Sequence, residues 1–139
     1  MKKFFALSFL PVNAALGLLF LRILAGGAMA VLHGWGKLLG FGKMFHTFPD
    51  PLGISSEASY LFATGAEFLG AIMVVLGVFT RFAALSVVFT MGVAFFIVHG
   101  GALSGEGSGE MGMIYGIVFL PFIFTGAGRY SIDAKLGNP

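Results

Sequence analysis

Apolar residues along this chain fall into four long runs separated by polar segments, covering about 13–32, 60–79, 82–98 and 111–124. None of the runs alternates with polar residues in the period of two that a half-buried strand requires, so the elements they predict are helices. A helix needs roughly 20 residues to cross the ~30 Å hydrocarbon layer. The first three runs meet that length, and the fourth meets it if it begins within the glycine-rich stretch before it. Pro121 lies near the end of the fourth run and permits a kink, because a proline frees a carbonyl that neighbours must satisfy. The expected fold class is all-α: a polytopic membrane protein, one transmembrane domain over residues 1–139, built as a four-transmembrane-helix bundle.

The polar segments set the order of those helices. Residues 34–59 contain Pro49-Asp50-Pro51-Leu52-Gly53, a strong turn signal, and residues 100–109 form the second long connection. Only Thr80 and Arg81 separate Phe79 from Phe82, so runs two and three must be antiparallel neighbours. Lys2, Lys3, Arg81, Arg129 and Lys135 then share one side, against Lys37 and Lys43 on the other. The positive-inside rule places both termini in the cytoplasm. Residues 1–10 have the two lysines and short apolar stretch of a secretory signal, and Val12-Asn13-Ala14 is a passable cleavage site. Pro11 interrupts that stretch and the apolar run resumes at Ala14, so the segment reads as an interfacial lead-in kept in the mature chain. A weak repeat is visible: Val31-Leu32-His33-Gly34 echoes Ile97-Val98-His99-Gly100, and Glu67 before Phe79-Thr80 echoes Glu110 before Phe124-Thr125. It would make the bundle two hairpins of the same orientation.

Composition narrows the class further. Of 139 residues 58% are hydrophobic and 10% charged, whereas a soluble domain carries about 25% charged residues. That excludes a soluble globular domain, and the apolar excess excludes disorder. The absence of cysteine removes disulfides, thiolate metal sites and a cysteine nucleophile. A net charge of +2 comes from basic residues scattered singly, which read as topology signals and not as a nucleic-acid surface. Glycine, at 22 residues, has about twice its usual share of roughly 7%. Small residues let membrane helices approach closely, and Gly26-Gly27, Ala66 with Gly70, and Gly112 with Gly116 have suitable spacing.

The ionisable residues within the runs carry the candidate chemistry. Arg22 lies about nine residues into the first run, roughly 14 Å along a helix and so near the bilayer centre. An arginine there costs about 2.5–3.5 kcal/mol unless it faces a partner or a water-filled cavity. Glu67, in the second run, is the partner expected to form a structural ion pair with Arg22. His33 and Lys37 share a helix face if the helix continues past Gly34 and Gly36. Together His33, Lys37, Glu67, His99 and Glu110 collect in the half of the bundle near the two long connections. They are expected to converge on one ligand-binding cavity walled by aromatic residues. No metal is expected, since the spacing lacks a complete ligand set. Residues 100–109 lack the lysine and preceding strand of a phosphate loop. No nucleophile, base and orienting group occur together, so whether the chain catalyses anything stays open.

Arg22 with Gly26, His33-Gly34-x-x-Lys37, Glu67-x-x-Gly70, Gly77, and Gly126-x-Gly128-Arg129-Tyr130-Ser131-Ile132-Asp133 give the chain an order and spacing that resembles the DoxX family over nearly its whole length. The resemblance implies a bacterial-type inner-membrane protein of four helices, in a family named for a small subunit associated with an archaeal quinol oxidase. Other members are linked to oxidative-stress or thiol systems through protein partners. No established catalytic mechanism comes with it. Two functional readings follow: a redox-associated subunit or accessory protein that binds a quinone-like small molecule in the polar pocket, or a non-enzymatic protein that binds a lipid or small molecule, scaffolds a partner or serves as a small transporter component. The C-terminal motif has a local role as well, with glycines that stop a helix and Ser131 or Asp133 to satisfy freed backbone donors.

The topology has a direct test. Single cysteines at Ser55 and Ser104 should react with an impermeant thiol reagent added to intact cells, and one at Ser131 should not. Labelling of Ser131 but not Ser104 would invert the arrangement.

Overall fold

The computed structural model describes residues 2–5, 7 and 9–137, with helices, turns and loops but no strand among them. The expected lead-in, residues 1–10, lies partly outside the described residues. Four helices make the bundle: α1 (Ala14–Leu39), α2 (Ser56–Leu76), α3 (Thr80–Val98) and α4 (Glu110–Thr125). The first three are long and apolar enough to cross a membrane. α4, with 16 residues, rises about 24 Å, a little short of the hydrocarbon thickness.

α1 runs well past the expected end of its apolar run, continuing through Gly34 and Gly36 to Leu39. Gly34 is not a stop signal there but a contact. A Cβ at Gly34 would lie 2.6 Å from the Glu67 carbonyl oxygen and 2.7 Å from the Phe68 Cα. Two turns earlier, a Cβ at Gly26 would lie 2.7 Å from Val75 Cγ2 and 3.0 Å from the Ala71 carbonyl oxygen. These two glycines are where α1 crosses α2 with backbone nearly touching backbone, while Gly27 faces open space. Gly70 packs similarly on Ser86 of α3, and Gly112 of α4 on Met91 and Phe95.

Four stretches of these helices wind as wider π turns, with hydrogen bonds from i to i+5: Arg22–Gly26 and Ala30–Gly34 in α1, Gly65–Gly70 in α2, and Val93–Val98 in α3. Three of them contain Arg22, His33 or Glu67, and His99 follows the fourth. Nothing in the periodicity of so apolar a sequence announces them. The buried core between the helices consists of Met29, Ala71, Val74, Ala84, Val87, Phe119 and Phe122. Large apolar residues such as Phe20, Phe82, Phe89 and Phe124 point outward, as they should in a lipid solvent.

At the end carrying the α2–α3 turn, the C-terminal motif folds back over the bundle. Gly77 ends α2 in the left-handed conformation at φ +69°. The Asp133 carboxylate accepts from the backbone N–H of Phe79 at 2.8 Å and of Thr80 at 2.9 Å. It thereby caps the exposed donors at the start of α3 and places a negative charge at the positive end of its dipole. The Asp133 N–H in turn donates to the Gly77 carbonyl at 2.7 Å. Arg22 is fully buried in this same knot, its Nη2 donating to the Tyr130 carbonyl at 2.5 Å. Nε and Nη1 find no hydrogen-bond partner among the described residues.

This corrects the expected Arg22–Glu67 ion pair. Because α1 extends to Leu39, its midpoint falls near residue 26, and Arg22 sits some four residues below it, about 6 Å toward the turn. The nearest acceptor at that level is the backbone of the returning C-terminal segment, not Glu67.

The knot should be fragile. Gly77→Ala places a methyl where an ideal Cβ lies 1.9 Å from Arg22 Nη1, at a positive φ besides, and should cost roughly 2–4 kcal/mol. Asp133→Ala strands two backbone donors and should cost about 1–2 kcal/mol. Thermal unfolding in mild detergent should show both losses, and an unchanged melting temperature for Gly77→Ala would mean that the turn is not packed this way.

Candidate functional site

The opposite end, where the long connections lie, is built around one buried ion pair. Lys37 reaches from α1 to Glu67 of α2, Nζ to Oε2 at 2.5 Å, with the Glu67 side chain 7% exposed. The pair exists because α1 continues through Gly34 and because Gly34 lets the α2 backbone close in at Glu67 itself. Glu67 lies in the wide turn Gly65–Gly70, and His33 in the wide turn Ala30–Gly34.

The end of α1 is fixed from above. Tyr60 of α2 is fully buried, and its hydroxyl donates to the Lys37 carbonyl. Phe41, Phe45 and Phe48 pack on its ring at centroid distances of 5.8, 6.0 and 5.4 Å. The chain then turns at Asp50, whose carboxylate accepts from Ile54 N–H at 3.0 Å, Ser55 N–H at 2.9 Å and the Ser59 hydroxyl at 2.8 Å. The Ser59 bond, helped by the backbone donors, holds the Asp50 carboxyl below the usual aspartate range. These bonds also hold Ser55 at φ +107° as the cap of α2, its Oγ accepting from Ala58 N–H at 3.2 Å.

Beside the Lys37–Glu67 pair lies a cavity of about 210 Å³ lined by His33, Lys37, Glu67 and His99, together with Tyr115, Met91, Ala94, Met111 and Ser108; in place of the expected aromatic wall it has Tyr115 among methionine and small residues. Four of the five residues expected to converge are therefore brought together. Glu110 is not; it is exposed at the first turn of α4. At about 100° per residue it stands roughly 140° around the helix from Tyr115, which takes the cavity position. His33 meets Tyr115 edge-on, with ring centroids 5.0 Å apart.

His99, after the end of α3, is tied to the glycine-rich connection: Nδ1 lies 2.7 Å from the Gly107 carbonyl oxygen. A carbonyl only accepts, so Nδ1 carries the proton and the neutral ring keeps Nε2 as an acceptor. Gly109 allows this connection to lie close, since a Cβ there would sit 2.7 Å from Phe95 Cδ2 and 3.0 Å from His99 Cβ. The cavity thus offers donors on Lys37 and Tyr115, and acceptors on Glu67 and His99, between apolar walls. Among the described residues no group of three His, Asp or Glu is placed to hold a metal ion.

Tyr115 and Tyr60 were not legible as site residues. Tyrosine is common near a membrane interface, and only the phase of α4 against α1, and the aromatic run Phe41, Phe45, Phe48, give them their roles.

The DoxX family model matches residues 17–100, more than half of the chain, a stretch that includes Arg22, His33, Lys37, Glu67 and His99. An uncharacterised protein of Haemophilus influenzae is 34% identical over 126 residues, covering 85% of this chain and 89% of that protein. A second uncharacterised protein of the same organism is 30% identical over 110 residues, covering 76% and 72%. No solved structure matches the chain. With three apolar helices of membrane-crossing length in a multi-pass arrangement, the chain belongs to the DoxX family.

Proposed function

We propose that this protein is a redox-associated accessory protein of the bacterial inner membrane that binds a hydrophobic small molecule with a quinone-like ring in the cavity between His33, Lys37, Glu67, His99 and Tyr115. In this reading all four helices span the bilayer and both termini are cytoplasmic. The observation that supports it is the convergence of four ionisable side chains, from α1, α2 and the segment just after α3, on one small cavity. Scattered at random near an interface, such groups would turn outward to the headgroups. A ring of alternating apolar edges and polar oxygens is complementary to that lining, with Lys37 and Tyr115 able to donate to ring oxygens. A redox or thiol-system protein partner fits the family resemblance.

A second reading is favoured by one specific contact. Lys37 and Glu67 already satisfy each other at 2.5 Å, so they could serve only to lock α1 to α2 in a non-enzymatic lipid-binding or scaffold protein.

The two readings separate in one experiment. Protein purified in mild detergent and extracted into organic solvent should release a ring-bearing lipid detectable by mass spectrometry and ultraviolet absorption. His33→Ala and Glu67→Gln should retain less than about a tenth of it while eluting as the wild type does, a difference of about 1.4 kcal/mol or more. Undiminished retention in both variants would leave the locking role alone. That role has its own measurement: a double-mutant cycle on Lys37→Met and Glu67→Gln should give a coupling of about 1–3 kcal/mol in unfolding free energy. Zero coupling would mean that the pair does not hold the helices.

A further inference from the structure

Between α2 and α3, on the flank of the bundle, runs a predominantly apolar groove of about 1060 Å³. It reaches from Val98 at the end of α3 down to Phe82 in its first turns, about 24 Å of helix at 1.5 Å per residue. Small residues leave room along it, Ala63, Gly65 and Ala66 on α2 and Ala83, Ser86 and Ala94 on α3, between larger apolar ones such as Leu69 and Phe89. Gly65 opens onto free space, with nothing within 4 Å of a Cβ built there. At its upper end Phe48, Pro49, Pro51 and Leu52 overhang it, on the turn that Asp50 holds.

Lys37, Glu67, Ala94 and His99 line both this groove and the polar cavity. The two spaces therefore adjoin, with Ala94 as the apolar residue between them. The cavity is covered on another side by Ser108 and Gly109 of the connection that His99 ties down.

We propose that the groove is the lateral entrance and the tail site for the molecule bound in the cavity, which is thereby a lipid-borne ligand with a single long apolar tail. This rests on the head-group reading given above. A cavity of about 210 Å³ holds one ring and has no room for a chain of many carbons. A tail attached to a ring seated there has to leave past Ala94, and the groove beyond is apolar and open to the bilayer side. The overhanging segment directs that exit downward along α3, parallel to the lipid chains. Within lipid an apolar tail gains little by leaving its neighbours, so the groove contributes space and direction more than affinity. Closing it should therefore harm tailed ligands and spare tail-less ones.

The test uses the full chain in phosphatidylcholine nanodiscs, with two probes: a benzoquinone bearing a decyl chain, and the same ring bearing methyl in its place. Wild type should bind both. Gly65→Phe, and independently Thr90→Phe on the facing helix, should weaken the decyl probe by about tenfold or more and leave the methyl probe within about twofold. Unchanged elution and melting temperature identify the plugged variant that is folded. Equal loss of both probes, or loss of neither, would overturn the tail site while leaving the head-group reading in place. Failure of both probes to bind wild type would overturn the head-group reading itself, and the tail site with it.

Discussion

Close backbone contact between α1 and α2 at Gly26 and Gly34 is the constraint on which the rest of this structure depends. Lipid tails are as apolar as leucine, so nothing like the hydrophobic effect draws these helices together. What remains is dispersion between surfaces that fit, together with polar contacts in a medium offering no water. A side chain at Gly34 would meet the α2 backbone at under 3 Å and force the helices apart there, and one at Gly26 would displace Val75 and crowd the Ala71 carbonyl. With the helices in contact, Lys37 comes level with Glu67, and the same crossing brings Arg22 against Gly77 at the other end.

The polar groups are divided between the two ends, and each end resolves its charge differently. Around Lys37 and Glu67 the solution is ionic, with opposite charges in contact and a cavity beside them. Around Arg22 the solution is backbone: a carbonyl of the returning C-terminal segment accepts from the guanidinium, and the Asp133 carboxylate is spent on the start of α3. The middle of the bundle is left to Met29, Val74, Val87 and Phe119. Such a division suits a low-dielectric medium, where a charge without a partner is costly and an end is the place to reach water or headgroups.

Much of this was legible in the sequence because membrane helices announce themselves by long apolar runs. The three long helices, the tight α2–α3 connection and a capping role for Asp133 follow from residue type and spacing, though not the position of its partners at the start of α3. The gathering of His33, Lys37, Glu67 and His99 also followed, since counting along a helix gives depth. Direction around the helix was less accessible. Counting gives the depth of Glu110 but not its side, and an apolar run that ends at Leu32 puts Arg22 near the bilayer centre and so within reach of Glu67, which the longer α1 does not. Gly34 and Gly36 read as helix breakers in isolation; in place the helix runs through both, Gly34 as a packing surface and Gly36 facing open space. The π turns could not be read, since in an apolar run one extra residue in a turn leaves no polar mark.

Those wide turns make the register of α1 a matter of chain length as well as side-chain chemistry. Each π turn accommodates a residue more than the α-helical ladder would, and two of them precede Lys37. Loss of a single residue from Ala30–Gly34 would let the ladder close as an ordinary helix, still apolar and still long enough to span. Because the wide turn is where the additional residue is absorbed, everything beyond would keep nearly its present facing. Lys37 would still face Glu67, and the Lys37 carbonyl Tyr60, while the facing of His33 and Gly34 inside the turn would change. The wide turn is therefore the place where this helix can take a one-residue change in length without losing its ion pair, at the expense of the cavity residue that the turn itself carries.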